Sequence, residues 1–452
     1  MDSGDTIMIK VVKFGGSSVA NAEQFKKVKN IVDSDNDRRF IVTSACGKTD
    51  QEDHKVTDLL YLCHAHIKYG VPFDTIFELI EKKYRTIKED LHLSIDLDRE
   101  IDTIRKKMVK NVNIDYLVSR GEYLTGLCLA EYLEADFIDA KEIILFDYNG
   151  KVNFEKSKKA LEARINNGKK IVIPGFYGAF PNEKIKIMSR GGSDITGAII
   201  ANLVDAEIYE NWTDISGLLV ADPRIVEKPK RIQYITYDEL RELSYMGANV
   251  LHDETIFPVK EKNIPINIRN TNEPENEGTL IMDNCHEQDK IKAPDFLTGI
   301  AGKKDFSVIT CTKAHLSSEI GILRKALQVF EDFNISVESV PAGIDTFNII
   351  VQTQDIEKHC YDIIGRLKEE LHFESISIID NLSLVAVVGR GMSKKPGMSG
   401  KLFAELGLHG INIKTINQGI DEINIIIGID NHDFEKTINC IYDKFIRRGE
   451  EI

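Results

Sequence analysis

Two glycine-bearing runs hold the chemistry legible in this chain. Lys13-Phe14-Gly15-Gly16-Ser17-Ser18 follows the first apolar run, and Ser189-Arg190-Gly191-Gly192-Ser193-Asp194 comes much later. Glycines let backbone N–H groups approach an anion closely, and a helix that starts just after them adds positive potential. Lys13 supplies a mobile point charge beside the first run. These residue types together point to phosphate handling. The lysine precedes the glycines, which is not the P-loop order G-x-x-x-x-G-K-[ST], so a different nucleotide-handling fold is expected.

Such loops need a rigid scaffold. Apolar runs at 7–13, 40–44, 170–174 and 207–211 read as buried strands, each followed by helical periodicity. That alternation is the signature of a parallel sheet covered by helices, which places its ligands at the strand ends. Residues 72–112 are charged and helical in pattern and read as an excursion covering the sheet. His54, Cys63, His64 and His66 form a tight His/Cys group, but on a helix over 57–69 Leu59, Leu60, Leu62 and Ile67 take the core positions around them. Core packing is the better reading, and no metal site is assigned.

The stretch 272–295 is rich in Asn, Glu, Pro and Gly, and a domain boundary is placed near Asp295. Beyond it the chain repeats itself without gaps, 306–351 on 382–427, with Gly321 falling on Gly397. Each copy reads as a β-α-β-β-α module, so domains are expected at 1–295, 296–380 and 381–452. Val387-Val388-Gly389-Arg390-Gly391 begins like a dinucleotide fingerprint, but the third glycine is misplaced and a hairpin replaces the βαβ crossover.

The 452 residues allow two or three domains, and a net charge of −14 opposes binding to nucleic acid or to an anionic membrane. Seven cysteines without a C-x-x-C pair read as reduced thiols. The N-terminus is acidic and no apolar run reaches membrane-spanning length, so a cytoplasmic location is expected.

Five marks in order, Lys13-Phe14-Gly15-Gly16-Ser17-Ser18, Ser119-Arg120-Gly121-Glu122, Ser189-Arg190-Gly191-Gly192-Ser193-Asp194, Trp212-Thr213-Asp214 with Asp222-Pro223-Arg224, and Gln418-Gly419, closely resemble monofunctional aspartate kinase. That family belongs to the amino-acid kinase superfamily and carries two C-terminal ACT modules; the likeness spans essentially the whole chain. It implies an α/β fold with a mostly parallel sheet sandwiched by helices, followed by two α+β ACT modules. The implied reaction moves the γ-phosphoryl group of ATP, accompanied by Mg2+, to the β-carboxylate of L-aspartate. A carboxylate is already ionised at neutral pH, so positioning and positive charge matter more than a general base.

By the resemblance, Lys13 meets the transferring phosphate and the amides of Gly15, Gly16 and Ser17 line the loop. Arg190 takes the α-carboxylate of aspartate with its planar fork, and Glu122 takes the ammonium. Asp194 either shares that ammonium or orients Lys13; both readings stay open. Ser44 and Thr57 are further candidates for the substrate pocket. Thr213, Asp214 and Arg224 are assigned to the nucleotide. The chain departs from relatives that carry a tyrosine where it has Leu219 and a lysine where it has Asn272, with Arg269 the expected replacement cation.

At matching repeat positions the first ACT copy has Glu338 and the second has Lys414. A carboxylate suits a cationic effector, so L-lysine is expected near Leu316, Glu319, Ser336, Val337 and Glu338, with ACT pairing implying at least a homodimer. The rivals are a kinase of glutamate or of an N-acylated amino acid, the latter disfavoured by Glu122, and an ACT-bearing sensor without activity.

Overall fold

The computed structural model describes residues 8–50, 53–165, 168–189, 191–248, 251, 253–283, 297–392, 396–419 and 423–448. Arg190, the first residue of the strand expected at 7–13, the boundary near Asp295 and repeat positions 420–422 lie outside them. The chain forms two compact units. The first comprises Met1–Leu218, Arg231–Tyr237 and Asn249–Glu287; the second comprises Leu219–Lys230, Asp238–Ala248 and Gln288–Ile452. Two short segments that precede position 295 in the chain thus group with the C-terminal part.

The strands of the first unit are β1 (Lys10–Phe14), β2 (Arg38–Thr43), β3 (Asp136–Phe137), β4 (Ile171–Pro174), β5 (Tyr177–Ala179), β6 (Ile185–Ile187), β7 (Ile208–Thr213), β8 (Tyr234–Ile235), β9 (Ile266–Asn270) and β10 (Thr279–Ile281). All but the β5–β6 hairpin join one sheet of order β3-β4-β2-β1-β7-β9-β10-β8. Its pairings are parallel except β9 with β10. The four strands expected from apolar runs are β1, β2, β4 and β7, whose continuous apolar stretches are buried as a sheet covered on both faces requires.

The helices of this unit are α1 (Ala22–Asp33), α2 (Val56–Tyr69), α3 (Asp74–Asp90), α4 (Leu97–Lys107), α5 (Ile114–Val118), α6 (Arg120–Tyr132), α7 (Phe154–Glu162), α8 (Gly192–Leu203) and α10 (Asp253–Lys260); α9 (Tyr237–Tyr245) belongs to the second unit from Asp238 onward. The charged excursion is α3 and α4, which bury Phe77, Ile80, Tyr84 and Ile87, and Leu97, Ile101 and Ile104, in one core with Leu59, Leu60, Cys63 and Ile67 of α2. Leu62, expected among these core positions, is exposed because it lies on the opposite face of α2. His66 Nδ1 lies 2.7 Å from the Pro72 carbonyl oxygen just beyond the helix.

β1 has β2 on one side and β7 on the other, so the chain winds outward in opposite directions from this pair. A crevice opens beyond the carboxyl ends of strands at such a switch point. Behind it, Glu210 of β7 is buried and receives both Nε and Nη2 of Arg38 at 2.8 and 3.2 Å and the Trp212 indole N–H at 2.8 Å.

In the second unit β11 (Gly299–Thr312), α11 (Ile322–Asp332), β12 (Thr346–Gln352), α12 (Thr353–Ile356), α13 (Cys360–Leu371), β13 (Ser375–Val388), α14 (Met398–Leu408), β14 (Thr415–Asn417), β15 (Asn424–Asp430) and α15 (Phe434–Tyr442) build a sheet of order β12-β11-β13-β15-β14. The repeat is structural: Gly321 and Gly397, at φ 80° and 84°, open α11 and α14 in turn. β11 and β13 are shared by both copies. Gly299–Lys303 pairs with 384–388, and Phe306–Thr312 with 375–382. At the change of register stand Asp305 and Asn381, themselves repeat-related, with φ 68° and 65°. Short polar side chains tolerate this left-handed backbone. The two modules therefore interlock through one sheet.

Replacing Glu210 by alanine strands the Arg38 charge in the core. A loss of about 3–5 kcal/mol is expected in urea unfolding, and appreciably less for Glu210→Gln, which keeps an acceptor.

Candidate functional site

Lys13 projects from the end of β1 with only 6% of its surface exposed. Its ammonium lies 2.5 Å from Asp194 Oδ1 and 3.4 Å from Asn211 Oδ1, and the Asn211 amide donates to the same Asp194 oxygen at 2.9 Å. Asp194 sits in the first turn of α8, which Gly191 opens with φ 77°. The Tyr209 hydroxyl donates to the Asp194 carbonyl oxygen at 3.1 Å. Of the two tasks left open for Asp194, contact with Lys13 is the one this geometry displays. Asn211, the third member, has no motif in the sequence beyond its place on β7.

The glycine loop explains its own composition. Gly15 N–H donates to the Trp212 carbonyl oxygen at 2.9 Å, and a Cβ on Gly15 would lie 3.5 Å from Lys13 Nζ and 3.9 Å from Thr213 Oγ1. Gly16 and Ser17 open the short 3-10 helix Ser17–Val19, whose first amides have no acceptor inside the helix. Gly47, in the loop after β2, donates its N–H to the Gly16 carbonyl at 2.8 Å, and a Cβ there would come within 2.5 Å of Gly16 carbon. Sequence reasoning passed over Gly47, because its partner is distant in the chain.

Glu122 lies in the first turn of α6, 4% exposed, with Oε2 buried and without a partner among the described residues. Burial pushes its carboxyl up to about 8, against the opposing pull of its own N–H, the Ala45 N–H and the Arg120 charge. Ionising Glu122 therefore works against folding: stability present below the usual carboxylate range is lost as pH rises through about 8. A cationic ligand group would relieve that cost. Arg120 is buried among the rings of Tyr116, Tyr123 and Tyr177, at 4.9, 4.5 and 5.3 Å. Gly121 admits the loop after β2, since a Cβ would meet Ala45 Cβ at 2.8 Å and Val56 at 3.2 Å. Ser44, half-buried, donates its N–H to the Phe14 carbonyl at 3.1 Å, and Thr57 is half-buried in the first turn of α2. Lys13, Gly15, Gly16, Ser17, Ser44, Glu122 and Asp194 are thus linked by contacts around the ends of β1 and β2, with Thr57 next in the chain to Val56, which packs against Gly121.

The expected nucleotide residues divide. Thr213 ends β7 beside Gly15 and Asp214 follows it, with Thr213 Oγ1 donating to Asp214 at 3.2 Å. Arg269 is turned elsewhere: its guanidinium lies over Trp212 at 4.5 Å, bonds the Pro274 carbonyl at 2.7 Å, and stands 3.8 Å from Glu210. Burial lowers its pKa. A different cation reaches Asn272, whose side-chain oxygen accepts from Lys27 Nζ of α1 at 2.7 Å. Arg224 and Leu219 belong to the second unit, where the Arg224 guanidinium is exposed and paired with Asp222 at 2.6 Å.

Within that second unit, Glu338 accepts from the Tyr245 hydroxyl at 3.1 Å, and Glu319 is paired with Lys313 at 2.6 Å. Leu316 is buried, Val337 half-buried and Ser336 exposed. Lys414, the counterpart of Glu338, pairs with Asp430 at 3.3 Å.

Residues 8–270 match the amino acid kinase family, and residues 385–445 match an ACT domain. Aspartokinase 3 of Bacillus subtilis is 34% identical, the alignment covering 97% of this chain and 98% of that one. The crystal structure of Clostridium acetobutylicum aspartate kinase superposes with a TM-score of 0.90 at 48% identity, over 97% of this chain and 100% of that one. Escherichia coli aspartokinase III, solved in complex with aspartate and ADP, shares the fold at 24% identity with a TM-score of 0.71, over 97% and 99% of the two chains. A parallel sheet whose switch point holds a buried lysine and a glycine loop agrees with these matches, and the chain belongs to the amino acid kinase family. The branch it occupies there is that of the aspartokinases.

Proposed function

We propose that this protein transfers the γ-phosphoryl group of ATP to the β-carboxylate of L-aspartate, giving 4-phospho-L-aspartate, the first step toward lysine, threonine and methionine. The observation that carries the reading is the presence in one unit of a buried, carboxylate-held lysine and a buried glutamate whose Oε2 has no partner among the described residues. The first suits a phosphoryl group in transit; the second suits the ammonium of a free amino acid.

Both reactants are anions, so the protein's task is to bring them together and spread the charge that moves between them. Lys13 supplies the positive charge, Asp194 and Asn211 aim it, and the amides of Gly16 and Ser17 donate to phosphate oxygens, while the Gly15 amide, bonded to the Trp212 carbonyl, fixes the loop they sit on. Glu122 takes the substrate ammonium, Arg190 its α-carboxylate, and Ser44 and Thr57 border the same pocket. Thr213 and Asp214 serve the nucleotide. Mg2+ arrives with ATP, held mainly by phosphate oxygens and water. Lysine, the pathway's end product, binds against Leu316, Glu319, Ser336, Val337 and Glu338 as feedback inhibitor, its ammonium competing with Tyr245 for Glu338. ACT modules pair between chains in at least a homodimer. Among the described residues no helix is long and apolar enough to cross a membrane, and ATP and free thiols fit a cytoplasmic setting.

ATP-dependent acyl phosphate trapped by hydroxylamine tests the assignment: turnover with L-aspartate is expected, and turnover with L-glutamate alone would transfer the chain to a sister kinase. Lys13→Ala is expected to lower kcat by about 10²–10³-fold while the fold persists. Free Glu122 is largely protonated at pH 7, so aspartate binding should release close to one proton there and almost none at pH 9. Calorimetry in buffers of different ionisation enthalpy reads this, and Glu122→Gln should abolish it. L-lysine should suppress the rate, and Glu338→Gln should weaken that suppression at least several-fold with little change in the uninhibited rate; insensitivity of the native protein to lysine would remove the effector assignment.

A further inference from the structure

We propose that Glu405, His409 and Cys440 form a binding site for a zinc-type transition-metal ion that ties α14 to α15 in the second ACT module. Glu405 lies on α14, His409 follows its last residue, and Cys440 faces them from α15. One ligand atom from each lies within 4.8 Å of the others. Cys440 Sγ is 3.3 Å from His409 Nδ1, which is 3.6 Å from Glu405 Oε1. Ligand atoms on a tetrahedral zinc, with bonds of ~2.3 Å to sulfur and ~2.0 Å to nitrogen or oxygen, stand about 3.3–3.6 Å apart. Two of the three edges, sulfur to nitrogen and nitrogen to oxygen, are therefore already spaced as in such a site, and the third lies within 4.8 Å.

The donor set also selects the class of ion. One sulfur, one imidazole nitrogen and one carboxylate oxygen suit zinc or cobalt and are a poor match for magnesium or calcium, which take oxygen. Glu405 and Cys440 are 9% and 7% exposed, while His409 borders solvent, so an ion has a way in and water can complete its shell. Without metal, His409 Nδ1–H donates to the Glu405 carbonyl oxygen at 2.9 Å, and Lys444 stands 3.8 Å from the second carboxylate oxygen. On binding, the Cys440 thiol loses its proton to solvent, the imidazole proton moves from Nδ1 to Nε2, and the ion takes the position between the three donors. Burial and the nearby Glu405 hold the thiol up at about 11, so at neutral pH the ion has to displace that proton.

Titration of the tag-free full-length protein with Co2+ alone tests the site. One equivalent per chain is expected to produce a thiolate-to-cobalt charge-transfer band and intense visible bands of four-coordinate cobalt, and Zn2+ alone is expected to displace it and raise Tm. Cys440→Ser and His409→Ala should each weaken binding by about 100-fold or more and abolish the Zn2+-dependent rise in Tm, whereas Cys360→Ser should change neither. His409 is half exposed, so its alanine variant keeps the test informative if Cys440→Ser fails to fold. No thiolate band in the native protein, or a band that survives in the folded His409→Ala variant, would overturn the proposal.

Discussion

An ammonium taken out of water has to be met by a carboxylate, and at the end of β1 that requirement organises the site. Lys13 and Asp194 come from distant parts of the chain, one on a strand and the other in the first turn of α8, and Asn211 of β7 bonds to both. These contacts fix β1, β7 and α8 around one point of the crevice. A buried pair of this kind adds little to stability once desolvation is counted. What it does is hold a positive charge at a fixed point at the end of β1. The glycines follow from the same constraint, since side chains at Gly16 or Gly47 would separate the two loops that close the floor of the site.

The opposite problem is handled at Glu122. A carboxylate buried away from a direct cation partner resists ionisation, and burial raises this one to about 8. Behind the strands, Glu210 gathers Arg38, Trp212 and Arg269 into a compact cluster. Arg269 is thereby committed to holding β7 and β9 in place, and the cation near Asn272 comes from α1 as Lys27. Charge is supplied at one spot by whichever element reaches it, and that is decided by packing.

In the regulatory unit, two copies of one motif share two long strands. Left-handed residues at Asp305 and Asn381 let each strand change register where it leaves one module for the other. The two copies are therefore continuous through the backbone and ladder hydrogen bonds of β11 and β13. Glu338 and Lys414 have diverged to opposite charge, and each has found a partner of its own, Tyr245 and Asp430.

The parallel sheet, the helical excursion, the repeat and the glycine-bearing loop after β1 are all legible in the sequence. Each is written in local pattern: apolar runs, periodicity, or glycine beside a charged residue. Lys13 and Glu122 could be singled out because a functional residue inside a short motif keeps its neighbours in every fold that uses it. What the sequence could not show is which distant groups would meet. Asn211 on Lys13, Gly47 on Gly16, Lys27 on Asn272 and Cys440 on His409 are pairings across 31 to 245 positions or so of chain. The Arg269 guanidinium looked available for phosphate until β9 laid it over Trp212. Local chemistry is set by residue type and spacing, whereas long-range contacts exist only once the sheet order and helix packing have brought the chain back on itself.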